Sequence, residues 1–383
     1  MTKIAHFILD EKVTENIIEN FQKVTDYNIF YILGDKNNLK YLKIFNNNII
    51  ILNEKEFVIS NIDSEINAVI VHSLHHVFSK VLLELDSSIK VAWFAWGYDI
   101  YDSPKIIKNL YGKKTLSLIK HFDKTYNVKH IIKNIFFLRK IYYKIFSNTI
   151  DYYSLNKEAY KKINFFCSYI KEDYEIFSKY NSNNIEFFET IYFSIDQYLA
   201  GLVDLSIKNE AKDILIGNSN SYENNHLEVI DILKQTEFEG KVICPLNYGD
   251  NIQYRDLIIK LGNNFLGDRF TPLVNFLSRE EYLLLLSNCS TAIFYHFRQQ
   301  AMGNIIALLF LGIRIYFSSK NPVYSYLVRL GISVYDFDKD FIVFKNSILD
   351  AELQNKNREI IEKNFSNCNI HFQYNSLIKK LLQ

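Results

Sequence analysis

The sequence predicts an α/β protein of two Rossmann-like domains with a cleft between them, and three observations predict it. At 383 residues and 48% hydrophobic, the chain exceeds one comfortable core. Short apolar runs alternate with helical segments in both halves, the pattern of parallel sheets in α/β layers. The units repeat at about 25 to 35 residues, which suits right-handed β-α-β crossovers.

The first half opens with a strand over Ile4 to Leu9, a helix over Val13 to Gln22 and a strand over Asn28 to Leu33 that ends in Gly34-Asp35. Strands near Asn48 to Leu52 and at Ala68 to Val71 follow, then a helix through about Leu85 and a strand from Lys90 to Trp96. Residues 105 to 200 read as mostly helical and irregular, with a hinge at Phe187 to Gly201. The second half repeats the alternation more clearly. Strands are expected at Asp213 to Ile216, Lys241 to Pro245, Leu273 to Phe276, Thr291 to Tyr295, Arg314 to Phe317 and Ser333 to Tyr335, with helices between them. The expected domains are therefore 1–200 and 201–345. Helices in 346–383 are expected to pack back on the first domain.

Four prolines and twelve glycines exclude a collagen-like or disordered chain, and 30 Phe with 27 Tyr supply large apolar side chains for packing. Cys167, Cys244, Cys289 and Cys368 are scattered, without metal-ligand spacing, and read as reduced thiols of a cytoplasmic protein. The amino terminus enters a strand pattern at once and lacks the layout of a signal peptide. The longest uncharged apolar stretch, around Ile305 to Ile313, is too short to span a bilayer.

Net charge is only +1, yet Lys105 to Lys144 holds eleven Lys or Arg and one acid, Asp123, a net of +10. Within it Ile131, Ile132, Ile135, Phe136, Leu138, Ile141, Tyr142 and Ile145 recur at helical spacing beside Lys133, Arg139, Lys140 and Lys144. That is the pattern of an amphipathic basic helix on an anionic membrane surface, and equally of a surface helix with a solvated lysine face. No fold signature for nucleic acid accompanies the charge, so no nucleic-acid partner is expected.

The chemistry-bearing residues fall at strand ends. After Ile214-Leu215-Ile216 come Gly217, Asn218 and Ser219, then Asn225 and His226 at a helix start. In open α/β sheets ligands sit beyond the carboxyl ends of the strands, where free N–H groups attract phosphate. An ordinary Asn-capped turn reads the same way. A second such turn carries Arg298, Gln299 and Gln300 before a helix at Asn304. Arg298 offers a fork of donors to a pyrophosphate, and a cation there stabilises the leaving diphosphate without metal. Between them, Tyr248 in Pro245-Leu246-Asn247-Tyr248-Gly249-Asp250 can stack on a base or sugar, or lie in a plain turn. In the first half Asp99, in Trp96-Gly97-Tyr98-Asp99-Ile100-Tyr101, is a candidate general base or a helix cap. His72, in Val71-His72-Ser73-Leu74-His75-His76, is the rival base. Asp338-Lys339-Asp340 has D-x-D spacing but reads as a solvated turn. No metal site and no cofactor are expected.

With these motifs in place, the chain resembles the bacterial 4-acetamido-4,6-dideoxygalactosyltransferases, the TDP-Fuc4NAc:lipid II Fuc4NAc transferases of enterobacterial common antigen synthesis. Residues 96–101 are similar to the family's W-G-x-D-L-Y, and Pro245 to Gly249 to its P-L-S-Y-G. Arg298-Gln299-Gln300 with Gly303-Asn304 looks like its R-Q-Q-x-x-G-N, Ile216 to Ser219 with Asn225-His226 matches in order, and His72 falls on a strand-ending histidine. Ser73-Leu74-His75 replaces a glycine-containing turn, and residues 105–200 are little like the family. The resemblance implies the GT-B fold and an inverting, metal-independent glycosyltransferase that moves a deoxyaminosugar from a nucleoside-diphosphate donor, TDP-linked. It further implies a polyprenyl-diphosphate-linked saccharide as acceptor, at the inner face of the cytoplasmic membrane, in polysaccharide synthesis. The competing class is a non-catalytic sugar-nucleotide-binding protein or a sugar-nucleotide-modifying enzyme. An epimerase would want a G-x-G-x-x-G start, and none lies between Ile4 and Lys12.

Overall fold

Strands buried on both faces must be apolar along their whole length, and those of this chain form two all-parallel sheets. The computed structural model describes residues 2–145, 151–181, 184–202, 204–344 and 348–383. The first sheet contains β1 (Ile4–Leu9), β2 (Asn28–Leu33), β3 (Ile49–Leu52), β4 (Ala68–His72), β5 (Lys90–Phe94), β6 (Phe165–Ser168) and β7 (Glu186–Glu189). Their order is β3-β2-β1-β4-β5-β6-β7. The second contains β8 (Asp213–Ile216), β9 (Val242–Pro245), β10 (Phe270–Leu273), β11 (Cys289–Phe294), β12 (Arg314–Phe317) and β13 (Tyr335–Asp336), in the order β10-β9-β8-β11-β12-β13.

Each sheet reverses its direction of winding at its centre, between β1 and β4 in one and between β8 and β11 in the other. The flanking connections there leave to opposite sides and open a crevice at the carboxyl ends of the strands. The central strands are dry: Ile4, Ala5, Phe7, Val69, Ile70 and Val71 have no exposed surface, and neither do Ile214, Leu215, Ile216 and Ile293. Rigid strands of this kind hold the residues at their ends in fixed places.

The chain divides into two units. One comprises 1–107, 130–194 and 367–383, the other 108–129 and 195–366. The C-terminal segment, whose helices are expected to pack back on the first domain, is divided between the two units. The helix Ala351–Asn364 stays with the second unit, and Asn367–Leu382 belongs to the first, where the Tyr374 ring stacks on Phe21 at 4.1 Å. The expected boundary at 345/346 lies outside the described residues.

Three local expectations differ from the structure. The stretch 105–200 contains two strands, β6 and β7, of four residues each, too short to show a period. The strand expected at Leu273 to Phe276 lies earlier, at Phe270–Leu273, and includes Pro272. An edge strand tolerates a proline because its outer N–H has no partner to lose. The basic helix is interrupted at Ile135, giving Tyr126–Asn134 and Phe136–Ile145, and Arg139 is not on its solvent face. Arg139 is 4% exposed and bonded to Asp151 at 3.0 Å, to Ser154 and to the Lys133 carbonyl. A guanidinium buried with an acid and two further acceptors is satisfied, so this charge belongs to the interior.

Candidate active site

In the second unit the three sequence motifs converge at the carboxyl ends of β8, β9 and β11. Gly217 ends β8 with φ +64°, and a Cβ there would stand 2.5 Å from His226 Nε2 and 2.7 Å from Asn224 Oδ1, so only glycine fits. Beneath the turn, Asn224 is a hub. Its Oδ1 accepts from the Asn218 N–H and from His296 Nε2, both at 2.9 Å, and its Nδ2 donates to the carbonyls and hydroxyls of Ser219 and Ser221. His226 and His296 are both buried and each keeps one ring nitrogen without a partner. Burial holds His226 down to about 3 and His296 well below the usual imidazole range, so both are neutral.

Side-chain amides tie the motifs to one another. Asn220 donates from its backbone to the Tyr248 carbonyl (2.8 Å) and from its side chain to that of Gly249 (3.0 Å), joining the loop after β8 to the loop after β9. Gln300 donates to Asn218 Oδ1 at 2.8 Å and accepts from Arg298 Nε at 3.0 Å, which joins the loop after β11 to the same turn. Among the described residues the Arg298 guanidinium has no acidic partner, and it is only partly buried. Gln299 lies partly exposed beside it, and Tyr248 is 63% exposed. The rest of that motif is structural. Arg279 donates to the Gly303 carbonyl and to Asn304 Oδ1, and the Gly303 Cα faces the Tyr198 ring. Asn224 reads from sequence only as part of the turn that leads into the helix, and His296 carries no reading of its own; their importance lies in partners distant along the chain.

In the first unit the ends of β1, β4 and β5 carry the other candidates. Asp99 is 8% exposed. Its Oδ2 accepts from the Leu74 N–H (2.9 Å) and Trp93 Nε1 (2.7 Å), its Oδ1 from the Trp96 N–H (2.9 Å). Burial nevertheless dominates these bonds and pushes its carboxyl up to about 6. With three donors upon it, Asp99 is a strut that locks the turns after β4 and β5 together. Ser73, in the first of those turns, has φ +74°, a conformation that costs a non-glycine residue about 1–2 kcal/mol.

His72 is 3% exposed and its tautomer follows from its neighbours. Asn28 Nδ2 donates to the Phe21 and Thr25 carbonyls, so Asn28 Oδ1 accepts from His6 Nε2 at 3.0 Å. Neutral His6 then presents its Nδ1 lone pair to the His72 Nε2–H at 3.1 Å. The remaining nitrogen, His72 Nδ1, keeps its lone pair and has no partner. Burial, then the neighbouring His6, holds His72 well below its usual range. His75 caps the next helix and His76 packs on Tyr152.

A small cavity at this strand end is lined by Ile8, Leu9, Glu11, Val13, Thr14, Ile17, His72 and Trp96. Glu11 is the acid that sequence reasoning passed over. Asp338 and Asp340 of the D-x-D triplet lie in the first turn of the helix Phe337–Phe344, where Asp338 accepts from the Tyr295 hydroxyl and Asp340 from the Asp336 N–H. Among the described residues no group of three His, Cys, Asp or Glu could hold a metal ion.

Comparison with solved structures defines the class. The sucrose-phosphate synthase of Thermosynechococcus elongatus superposes with a TM-score of 0.63 at 8% identity, over 99% of each chain. An α,α-trehalose-phosphate synthase (UDP-forming) from Burkholderia vietnamiensis gives 0.64 at 7% identity, again over 99% of each chain. Anabaena HepE in complex with UDP gives 0.61 at 9%, over 99% of this chain and 100% of that one. At such identities the likeness is one of fold, and the fold is GT-B, that of glycosyltransferases. Residues 145–379 match the family described as 4-alpha-L-fucosyltransferase glycosyl transferase group 56. The chain belongs to that family, and the protein is a glycosyltransferase. The matched span includes the motifs at Gly217, Tyr248 and Arg298; His72 and Asp99 lie before it.

Proposed function

We propose that the protein transfers a deoxyaminosugar from a thymidine-diphosphate donor to a polyprenyl-diphosphate-linked saccharide, with inversion and without a metal ion, in cell-surface polysaccharide synthesis. The observation that carries the donor half is Arg298: a guanidinium with no acid, held by Gln300 against the turn Gly217-Asn218-Ser219 at the point where the second sheet reverses. A diphosphate is the chemical complement of that group, and the motifs of the resemblance supply the choice of sugar and base. Arg298, Gln299 and Gln300 receive the diphosphate, Gly217 to Ser219 admit its close approach, His226 supports the turn, and the exposed Tyr248 ring stacks on base or sugar. As the nucleotide leaves, Arg298 meets the charge that develops. On the acceptor side the hydroxyl gives up its proton at the ends of β1, β4 and β5, where Asp99 fixes the turns and His72 offers a lone pair. Asp338 and Asp340 are engaged by the Tyr295 hydroxyl and the Asp336 N–H, which supports the metal-independent reading.

The test is a thermal-shift titration with TDP-, UDP- and GDP-sugars, each with and without Mg²⁺. The expected result is a rise in melting temperature with the TDP-sugar that does not depend on Mg²⁺. A response to none of the nucleotides would end the donor-site reading, and a response only with Mg²⁺ would end metal independence.

The lipid-linked acceptor rests on a separate observation. The helices Tyr126–Asn134 and Phe136–Ile145 leave Ile131, Ile135, Phe136, Phe137, Ile141 and Ile145 exposed, Phe137 to 69%, beside Lys133, Lys140 and Lys144. Apolar side chains on one stretch with lysines among them fit the boundary of an anionic bilayer, and no described helix is long and apolar enough to cross one. The protein should therefore co-sediment with phosphatidylglycerol vesicles but not with phosphatidylcholine vesicles. Salt at about 1 M, where charges are screened within roughly 3 Å, should release most of it, and Phe136→Ser with Phe137→Ser should do so at low salt.

A further inference from the structure

A transferase that inverts its sugar must remove one proton from the acceptor oxygen as that oxygen attacks, and the removing group needs both a free lone pair and access. The two candidates visible in the sequence lack one or the other. Asp99 has three donors on its two oxygens and is enclosed. His72 has a free lone pair, but its other nitrogen faces a second neutral imidazole, His6, and among the described residues no carboxylate is bonded to its ring to stabilise an imidazolium.

Glu11 meets both requirements. It follows β1, the strand beside which the first sheet reverses its winding, and lines the same cavity as His72 and Trp96. Its backbone pairs with Thr14, the N–H donating to Oγ1 and the carbonyl accepting from the Thr14 N–H; among the described residues its carboxylate takes part in no hydrogen bond and no ion pair. It is partly exposed, where Asp99 is not. From the geometry we infer that Glu11 is the catalytic base: its carboxylate takes the proton of the acceptor hydroxyl, an inference that rests on the transferase reading above.

The step balances without any further reactant. The acceptor O–H bond breaks and its proton goes to a Glu11 carboxylate oxygen. The acceptor oxygen forms its bond to the anomeric carbon as the bond from that carbon to the diphosphate oxygen breaks. The electron pair leaves with the nucleoside diphosphate, and Glu11 later returns its proton to water. The surroundings suit the task. Burial, then the charge of Asp99 after β5, then that of Asp10 on its own loop, raise the Glu11 carboxyl above the usual range, making it a stronger base than a free carboxylate. The other titratable groups facing it are Tyr98 and the neutral His72, so no cation opposes this effect.

The experiment measures release of TDP from TDP-4-acetamido-4,6-dideoxygalactose with a polyprenyl-diphosphate-linked disaccharide as acceptor, in the wild type, Glu11→Gln and Glu11→Asp. Glu11→Gln should lower kcat by about 10²- to 10⁴-fold with the donor KM unchanged, and should abolish the acid limb of the kcat profile. Glu11→Asp, which withdraws the carboxylate by one methylene, should keep the limb at a kcat reduced about tenfold or more. Should the glutamine variant fail to fold, the aspartate variant decides by itself. A wild-type kcat in either variant overturns the assignment while leaving the transferase reading intact. Absence of turnover in the wild type overturns the reading and the assignment together.

Discussion

Arg298→Ala should weaken the binding of free TDP about 10- to 100-fold, since a charge-assisted hydrogen bond between a guanidinium and a phosphate is worth about 1.5–3 kcal/mol. The fold should hardly notice. The side chain has no acidic partner, and its bond to Gln300 is a contact between partly exposed groups. Calorimetric titration with TDP reads the loss directly. Wild-type affinity should fall with added salt, and that of the variant less so, because one charge on the protein side has gone. Gln300→Ala should give a smaller loss, as it removes the brace from Arg298 to Asn218 but leaves the charge. An unchanged affinity in Arg298→Ala would take the diphosphate away from the loop after β11.

Asp99→Asn should destabilise the first unit by about 2–4 kcal/mol in urea while leaving TDP affinity in place. The amide can present only one oxygen to the Leu74 and Trp96 backbone N–H groups and the Trp93 indole, and each buried donor left without an acceptor costs about 1–3 kcal/mol. The pH dependence has a sign of its own. The carboxyl titrates at about 6 in the folded protein and at about 3.8 when unfolded, so the folded state holds the proton more tightly. This group therefore favours folding below pH 4 and loses that contribution as the pH rises from about 4 to about 6. Urea melts across that window should show a steeper slope in the wild type than in Asp99→Asn. Equal stability of the two proteins at pH 7 would mean that the three donors find other partners and that Asp99 is no strut.

The alternation of strands and helices was legible because the central strands carry short apolar runs, as Val69 to Val71 and Ile214 to Ile216 show. The turn at Gly217 was legible for the same local reason, and the structure adds why a glycine stands there: His226 and Asn224 leave no room for a Cβ. What could not be read were features decided at long range. β6 and β7 carry four residues each and gain their identity from β5 beside them. Arg139 looked like one more basic residue on a helix until Asp151 and Ser154 closed around it. The bonds that engage Asp99 are of the same long-range kind. The tryptophan-flanked acid drew notice in the sequence, yet it is filled with internal bonds. The Glu11 carboxylate, without a hydrogen bond among the described residues, shows only when every neighbour is placed.

The order of the segments also bears on how the molecule is made. The first unit is assembled from three stretches, and the last of them, 367–383, supplies Tyr374 against Phe21, its hydroxyl to the Tyr192 carbonyl, and Gln373 to the Ile191 N–H. A ribosome adding about 5–20 residues per second needs on the order of 10–30 s to travel from Ser194 to that stretch. During this interval the earlier segments of the first unit have been synthesised and still lack their final helix. The second unit, complete by Ser366, has all its parts sooner. The half of the chain that emerges first is thus the half that finishes last, and it waits with the face of Phe21 that stacks on Tyr374 uncovered.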